Sequence, residues 1–91
     1  MLRKHFVFKG LVQGVGFRYR ARYAAQKFGL SGWVRNRFDG SVEMEAQGEA
    51  DALDNMIEYL RNEPFLEIDS IDEREISLVA NESGVFEIRR Y

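Results

Sequence analysis

Two stretches of helically spaced apolar residues, each set between strand patterns, constrain the fold of this chain most. The first stripe ends at Gly29, a residue suited to stop a helix, and consists of Phe17, Ala21, Ala24, Ala25 and Phe28. The second ends before Pro64 and consists of Leu53, Met56, Ile57 and Leu60. Each stripe predicts a helix with a single apolar face, which has to be buried against a sheet.

Alternation of apolar and polar side chains predicts the strands around these helices. They cover residues 5–10, 30–36, 41–48, 68–77 and 84–91. The fourth segment alternates poorly and is heavily charged, which is typical of an edge strand. In the last segment, Phe86 and Ile88 are predicted to point inward. Asp39 and Gly40 lie between the second and third strands and predict a hairpin turn.

The order of these elements indicates a β-α-β-β-α-β domain of the α/β (α+β) class. Right-handed crossovers and one apolar stripe per helix place both helices on one face of an antiparallel-rich sheet, which is the ferredoxin-like sandwich. We predict a single domain over residues 1–91, because a chain of 91 residues buries one core with little to spare. This fold supports many functions, so particular residues have to decide among them.

Composition excludes several classes of site and of protein. The sequence contains no cysteine, which removes disulfides, thiolate metal sites and cysteine nucleophiles. It has no run of the ~18 apolar residues that a membrane-spanning helix needs, and its start has no signal-peptide pattern. We therefore expect a cytoplasmic protein without membrane association, and a monomer is the default expectation for so small a domain.

Charge is distributed unevenly along the chain. Residues 1–38 contain nine lysines and arginines and no acidic residue, whereas residues 39–91 contain four basic residues and all fifteen acidic ones. A basic half indicates either a nucleic acid partner or a small anionic ligand. For most of these side chains the simpler interpretation, solvated charge on exposed faces, is favoured.

The segment GLVQGVGFR, residues 10–18, joins the first strand to the first helix. Its glycines at 14 and 16 allow a tight turn, close packing, or a backbone that directs several N–H groups at an anion. A helix N-terminus favours an anion through free N–H groups and the helix dipole, and Arg18 in the first turn adds a forked cation. Before other residues are considered, a plain turn and an anion site are equally good interpretations.

The spacing from Val12 to Arg18 matches that of phosphatases with a catalytic cysteine, but valine stands in the position of the nucleophile. The loop contains no Asp or Glu, and the single histidine is His5, so a covalent phosphoenzyme has no evident carrier. No group of histidines and carboxylates has metal-ligand spacing. Phosphate chemistry in this loop would therefore use water as the nucleophile, on a substrate that is already reactive.

Two segments together resemble the sequence signatures of the acylphosphatase family. In the first, residues 10–18, the matching positions are Gly10, Val12, Gln13, Gly14, Val15, Phe17 and Arg18. In the second, residues 32–48, they are Gly32, Trp33, Val34, Arg35, Asn36, Gly40, Val42 and Gly48. Both occur in order and with the family's spacing, so the resemblance is specific and extends over the whole chain.

The resemblance implies hydrolysis of the carboxyl–phosphate anhydride of acyl phosphates to a carboxylate and inorganic phosphate. It implies that Arg18 and Asn36 are catalytic and that the phosphoryl group is bound at Gln13, Gly14, Val15, Gly16, Phe17 and Arg18. Asn36 would position the attacking water, and its amide is no base near neutral pH. No metal or other cofactor is expected. The expected partner is a small acyl phosphate, with inorganic phosphate as both product and competitive inhibitor.

Two other classes of function remain to be weighed against this enzyme. RNA-recognition domains share the order of elements, but Glu43 and Glu45 on the outer face of the third strand would repel a phosphate backbone, so no nucleic acid partner is expected. A non-catalytic phosphate-binding regulator could use the same loop, and only Asn36 argues against it. Trp33 and Phe17 are interpreted as packing residues. His5 is interpreted as a surface or packing residue. Arg35 and Arg37 flank Asn36 and are interpreted as solvated strand charge in preference to residues that steer anionic substrates.

Overall fold

The computed structural model describes residues 1–82 and 84–90 and contains two helices and five strands. The strands are β1 (Leu2–Leu11), β2 (Ser31–Asn36), β3 (Val42–Gly48), β4 (Glu67–Ile76) and β5 (Phe86–Arg89). The helices are α1 (Phe17–Lys27), between β1 and β2, and α2 (Ala50–Arg61), between β3 and β4. The predicted helices and strands are all present, and the order β-α-β-β-α-β is extended by β5. Tyr91, the last residue of the predicted final strand, lies outside the described residues.

The strands form one sheet in the order β4-β1-β3-β2-β5. β1 pairs antiparallel with both β3 and β4, and β2 pairs antiparallel with β3. β4 lies at an edge, as its charge pattern predicts. β5 pairs with β2 in the parallel direction, which makes the sheet mixed. Between β4 and β5 the chain crosses from one edge of the sheet to the other, and β5 then runs in the same direction as β2.

Both helices lie on the same face of the sheet, where they contact each other and bury the apolar side chains of the strands. Phe8 of β1 packs on Phe17 of α1 with 4.9 Å between the ring centroids. Phe86 is buried and Ile88 packs against the same core, as predicted. Burial of each such large side chain stabilises the fold by roughly 1.5–3 kcal/mol. The predicted ferredoxin-like α+β layout is therefore confirmed.

The other face of the sheet carries ion pairs, including a buried arginine. Arg3 is 1% exposed, so it departs from the interpretation of basic residues as solvated surface charge. Its Nε donates to Glu45 Oε1 at 2.8 Å, and its two Nη groups donate to the carboxylate of Glu82. Gln47 beside it exchanges two hydrogen bonds with the backbone of Val79. These contacts fix the chain where it crosses from β4 to β5.

A second set of charges lies on this face near the β2–β3 hairpin. Glu43 accepts hydrogen bonds from Arg35 and interacts with His5 Nε2, each at 2.7 Å. Burial raises the pKa of the Glu43 carboxyl, but the bonds to His5 and Arg35 outweigh burial and leave this pKa below its usual value. Trp33 is nearly buried, as its packing role predicts, with the guanidinium groups of Arg35 and Arg89 over its ring. Glu43 is thus a half-buried carboxylate that is paired with two basic side chains, His5 and Arg35, rather than a freely exposed charge.

We predict that Arg3→Ala destabilises the protein by about 3 kcal/mol, because the carboxylates of Glu45 and Glu82 lose their buried partner. Their partial exposure keeps the loss at the low end of the range for buried pairs. Urea unfolding followed by circular dichroism measures this difference. Arg74→Ala, at an exposed position on β4, is the charge-matched control and should change stability by less than about 0.5 kcal/mol. Equal effects of the two substitutions would contradict the structural role of Arg3.

Candidate active site

The loop between β1 and α1 depends on two glycines with left-handed backbone conformations. Gly14 has φ 76° and Gly16 has φ 78°, values that residues with a Cβ rarely adopt. A Cβ added at either position would meet no close atom, so conformation and not crowding requires glycine there. Gly16 is the N-cap of α1, and no side chain caps that helix. The loop therefore leaves the backbone N–H groups at the start of the helix without a capping side chain.

The start of α1 has unpaired N–H groups and lacks a negative side chain. The first hydrogen bond of the helix runs from the Arg20 N–H to the Gly16 carbonyl at 3.1 Å. The N–H groups of residues 17–19 precede it and have no acceptor within the helix. The first turn contains no acidic residue. This end of the helix is therefore suited to bind an anion.

Gln13 joins this loop to the turn between β2 and β3. Its side-chain Nε2 donates to the Arg37 carbonyl at 2.6 Å and to the Ser41 carbonyl at 2.8 Å. The same turn is closed by Asp39, whose carboxylate accepts from the Ser41 N–H at 2.9 Å and from the Ser41 hydroxyl at 2.6 Å. The sequence assigned Gln13 to phosphate binding but did not indicate that its side chain spans two loops. The contact brings the end of β2 against the loop.

Asn36 is the last residue of β2 and lies opposite Val42 of β3. Val34 and Val42 are fully buried in the core beneath the helices. Side chains two residues apart on a strand share a face, and so do directly opposed residues of antiparallel strands. The half-buried Asn36 side chain therefore lies on the helix-bearing face, at the edge of the core and close to the start of α1.

A small cavity of about 120 Å³ forms where the loop, the start of α1 and the end of β2 meet. Its lining consists of Val12, Gly14, Gly16, Phe17, Arg18, Tyr19 and Asn36. Most of the residues predicted to bind the phosphoryl group, and both residues predicted to be catalytic, thus meet at one point. Gln13 and Val15 lie outside this lining, and Val15 packs against the core. The lining offers free N–H groups, one guanidinium and one amide.

Arg18 is held by a strand that is distant in sequence. Its Nη1 donates to the carbonyl oxygen of Arg89, near the end of β5, at 3.4 Å. Because the acceptor is a backbone carbonyl, no residue type in the sequence indicates this contact. The end of β5 therefore contacts the guanidinium through one N–H, and the remaining N–H donors stay available to a ligand.

A family model described as acylphosphatase matches residues 4–88. The chain belongs to the acylphosphatase family. An acylphosphatase of Bifidobacterium longum is 42% identical over 91 residues, which cover 99% of this chain and 94% of the relative. The crystal structure of an acylphosphatase from Bacillus subtilis superposes with a TM-score of 0.89 at 39% identity, covering 98% of this chain and 99% of the other. A structure from Coxiella burnetii gives 0.86 at 32% identity, with 97% and 92% covered.

Membership of the acylphosphatase family makes the chain an enzyme that hydrolyses acyl phosphates. Among residues 1–82 and 84–90, no group of three or more His, Cys, Asp or Glu is placed to hold a metal ion. Within the same residues, no helix is long and apolar enough to cross a membrane. The small cavity at the start of α1 is the candidate active site of this acylphosphatase.

We predict that Gln13→Glu impairs the enzyme more than Gln13→Ala does. A carboxylate of nearly the same shape would face two carbonyl oxygens with acceptors only, whereas alanine merely removes two hydrogen bonds worth about 1 kcal/mol each. The expected order of melting temperature and of kcat is wild type, then alanine, then glutamate. Differential scanning calorimetry and steady-state kinetics measure both. A glutamate variant that matches wild type would show that the amide does not hold the two loops together.

Proposed function

We propose that the small cavity binds the phosphoryl group of an acyl phosphate, with Asn36 placing a water molecule for attack on phosphorus. The observation that carries the proposal is the shared lining: glycine backbone, the Arg18 guanidinium and the Asn36 amide border one space of about 120 Å³. The N–H groups at the start of α1 and Arg18 would bind the phosphoryl oxygens. All of these groups come from one chain, so the proposed enzyme is active as a monomer.

The proposed reaction is a direct in-line displacement. The water oxygen forms a bond to phosphorus, and the bond between phosphorus and the carboxyl oxygen breaks, leaving its electron pair on the departing carboxylate. A carboxylate is a stable leaving group, so positioning and charge stabilisation carry the catalysis. One water proton passes to a phosphoryl oxygen, because the Asn36 amide orients the water without accepting a proton. No step uses a metal or another cofactor.

The alternative is a protein that holds phosphate without turnover. Asn36 favours the catalyst, because the helix start and Arg18 already suffice to bind an anion. An uncharged amide adds little to anion affinity but provides both a donor and an acceptor for orienting water. Its location in the same lining as Arg18 therefore supports a role in the chemical step.

Turnover of benzoyl phosphate by the purified protein, followed as loss of ultraviolet absorbance, tests the proposal directly. We expect steady hydrolysis and the same rate after treatment with EDTA. Binding of phosphate without turnover would support the regulator. A rate that collapses on chelation and returns with magnesium or zinc would show that the reaction needs a metal, contrary to the proposed mechanism.

We predict that Arg18→Ala nearly abolishes turnover and weakens competitive inhibition by inorganic phosphate. Loss of a charge-assisted donor pair at a phosphoryl group costs ~3–4 kcal/mol in the transition state, which is a few hundred-fold in rate. Arg18→Lys should recover only part of it, because a point charge does not replace a fork. Arg61→Ala, at an exposed site on α2, is the charge-matched control. An unchanged phosphate inhibition constant in Arg18→Ala would remove this residue from the binding site.

We predict that Asn36→Ala lowers kcat by roughly a hundredfold or more while phosphate binding changes little, as for loss of one group that acts in the transition state. Asn36→Asp should be no better, because a carboxylate there repels the phosphoryl oxygens. The measurements are kcat, KM and the phosphate inhibition constant, with circular dichroism as the control for folding. A raised KM with a near-normal kcat would make Asn36 a binding residue instead.

A further inference from the structure

Two larger grooves open next to the small cavity. The first, of about 370 Å³, is here called the hairpin groove and is lined by Arg35, Asn36, Arg37, Phe38 and Asp39. The second, of about 390 Å³, is called the tyrosine groove and is lined by Gly16, Tyr19, Arg20, Tyr23 and Tyr59. The small cavity shares Asn36 with the hairpin groove, and it shares Gly16 and Tyr19 with the tyrosine groove. Either groove has room for the acyl part of a substrate.

The geometry of phosphoryl transfer favours one of the two grooves as the site of the acyl group. The attacking and leaving oxygens lie roughly in line on opposite sides of phosphorus. If Asn36 holds the attacking water, the leaving carboxylate faces away from Asn36. The hairpin groove borders Asn36 itself, whereas the tyrosine groove begins at Gly16 and Tyr19, which line the cavity without belonging to β2 or its turn. The tyrosine groove is therefore on the leaving side.

We propose that the tyrosine groove, between α1 and α2, binds the acyl group and favours acyl phosphates whose acyl group is aromatic. This inference rests on the proposed function of the small cavity. The rings of Tyr23 and Tyr59 lie 5.9 Å apart with an angle of 41° between their planes, and Tyr19 is 63% exposed beside them. The rings of Tyr23 and Tyr59 thus contact each other, and the exposed ring of Tyr19 in the same lining can contact a further aromatic ring.

Charges at the groove fit the product that leaves through it. Arg20 borders the groove, with its Nη1 bound to Glu63 at 3.0 Å and its buried Nε–H without a hydrogen-bond partner among the described residues. When the phosphorus–oxygen bond breaks, the leaving carboxyl oxygen gains negative charge, and the Arg20 guanidinium, which is ion-paired with Glu63, lies on that side as a hydrogen-bond donor. Hydrogen bonding to Glu63 raises the pKa of the Tyr59 hydroxyl, a group that is uncharged at neutral pH in any case.

The test compares benzoyl phosphate with acetyl phosphate in variants of one aromatic residue from each groove. Tyr23→Ala should lower kcat/KM for benzoyl phosphate about three- to tenfold, the effect of losing one aromatic contact, and leave acetyl phosphate nearly unchanged. Tyr23→Phe keeps the ring and should keep the preference. Phe38→Ala, in the hairpin groove, is the matched control, because both aromatic side chains are exposed, Tyr23 at 56% and Phe38 at 90%. It should alter neither substrate selectively.

Binding of benzoylphosphonate, a non-hydrolysable analogue, by calorimetry separates this inference from the proposed function. Tyr23→Ala should weaken benzoylphosphonate three- to tenfold relative to acetylphosphonate, with inorganic phosphate binding unchanged. Selective loss in Phe38→Ala, or no selective loss in either variant, would overturn the acyl assignment while turnover by wild type stands. Failure of wild type to hydrolyse either substrate would instead count against the proposed function.

Discussion

The two hydrogen bonds from the Gln13 amide hold together two halves of the site that lie far apart in sequence. Their acceptors, the carbonyls of Arg37 and Ser41, are 24 and 28 residues away along the chain. One half is the start of α1, which supplies N–H groups and Arg18, and the other is the end of β2, which supplies Asn36. Loops are usually the mobile parts of a domain, so a geometry that depends on two loops needs such a tie. The paired strands on either side then fix the loops at their bases.

The basic side chains of residues 1–38 are distributed over both faces of the sheet. On the face without helices, the cations Arg3 and Arg35 are matched by carboxylates of β3 and of the crossing chain. On the helix side, α1 carries four cations and no acidic residue: Arg18, Arg20, Arg22 and Lys27. Of these, Arg18 lines the candidate site, whereas Arg20 pairs with Glu63 and Lys27 lies in the last turn of the helix. Arg18 and the N–H groups at the start of α1 together favour a small anion there.

The sequence predicts the elements because their periodicity is local, and it predicts the family because both signatures are contiguous. Arg18 and Asn36, one from each signature, line one cavity, while their catalytic roles stay a prediction. The sequence does not indicate the parallel pairing of β5 or the burial of Arg3, since both depend on where the chain crosses the sheet. It also does not indicate the acceptors of Gln13 and Arg18, because these are backbone carbonyls, which every residue possesses. Long-range backbone contacts are thus the part of this fold that pattern alone does not reveal.

In the proposed mechanism the binding groups and the catalytic group differ in how strongly they favour the transition state over the ground state. The N–H groups and Arg18 bind a phosphoryl group in the substrate and an inorganic phosphate in the product, so part of their contribution is equal in ground state and transition state, and Arg18 adds stabilisation specific to the transition state. Binding of that kind makes product inhibition an inherent property of the site. An oriented water contributes chiefly when the new bond to phosphorus forms, and this is where Asn36 acts. In this proposal, the small cavity combines an anion site, where Arg18 also stabilises the transition state, with one amide, Asn36, that orients the attacking water.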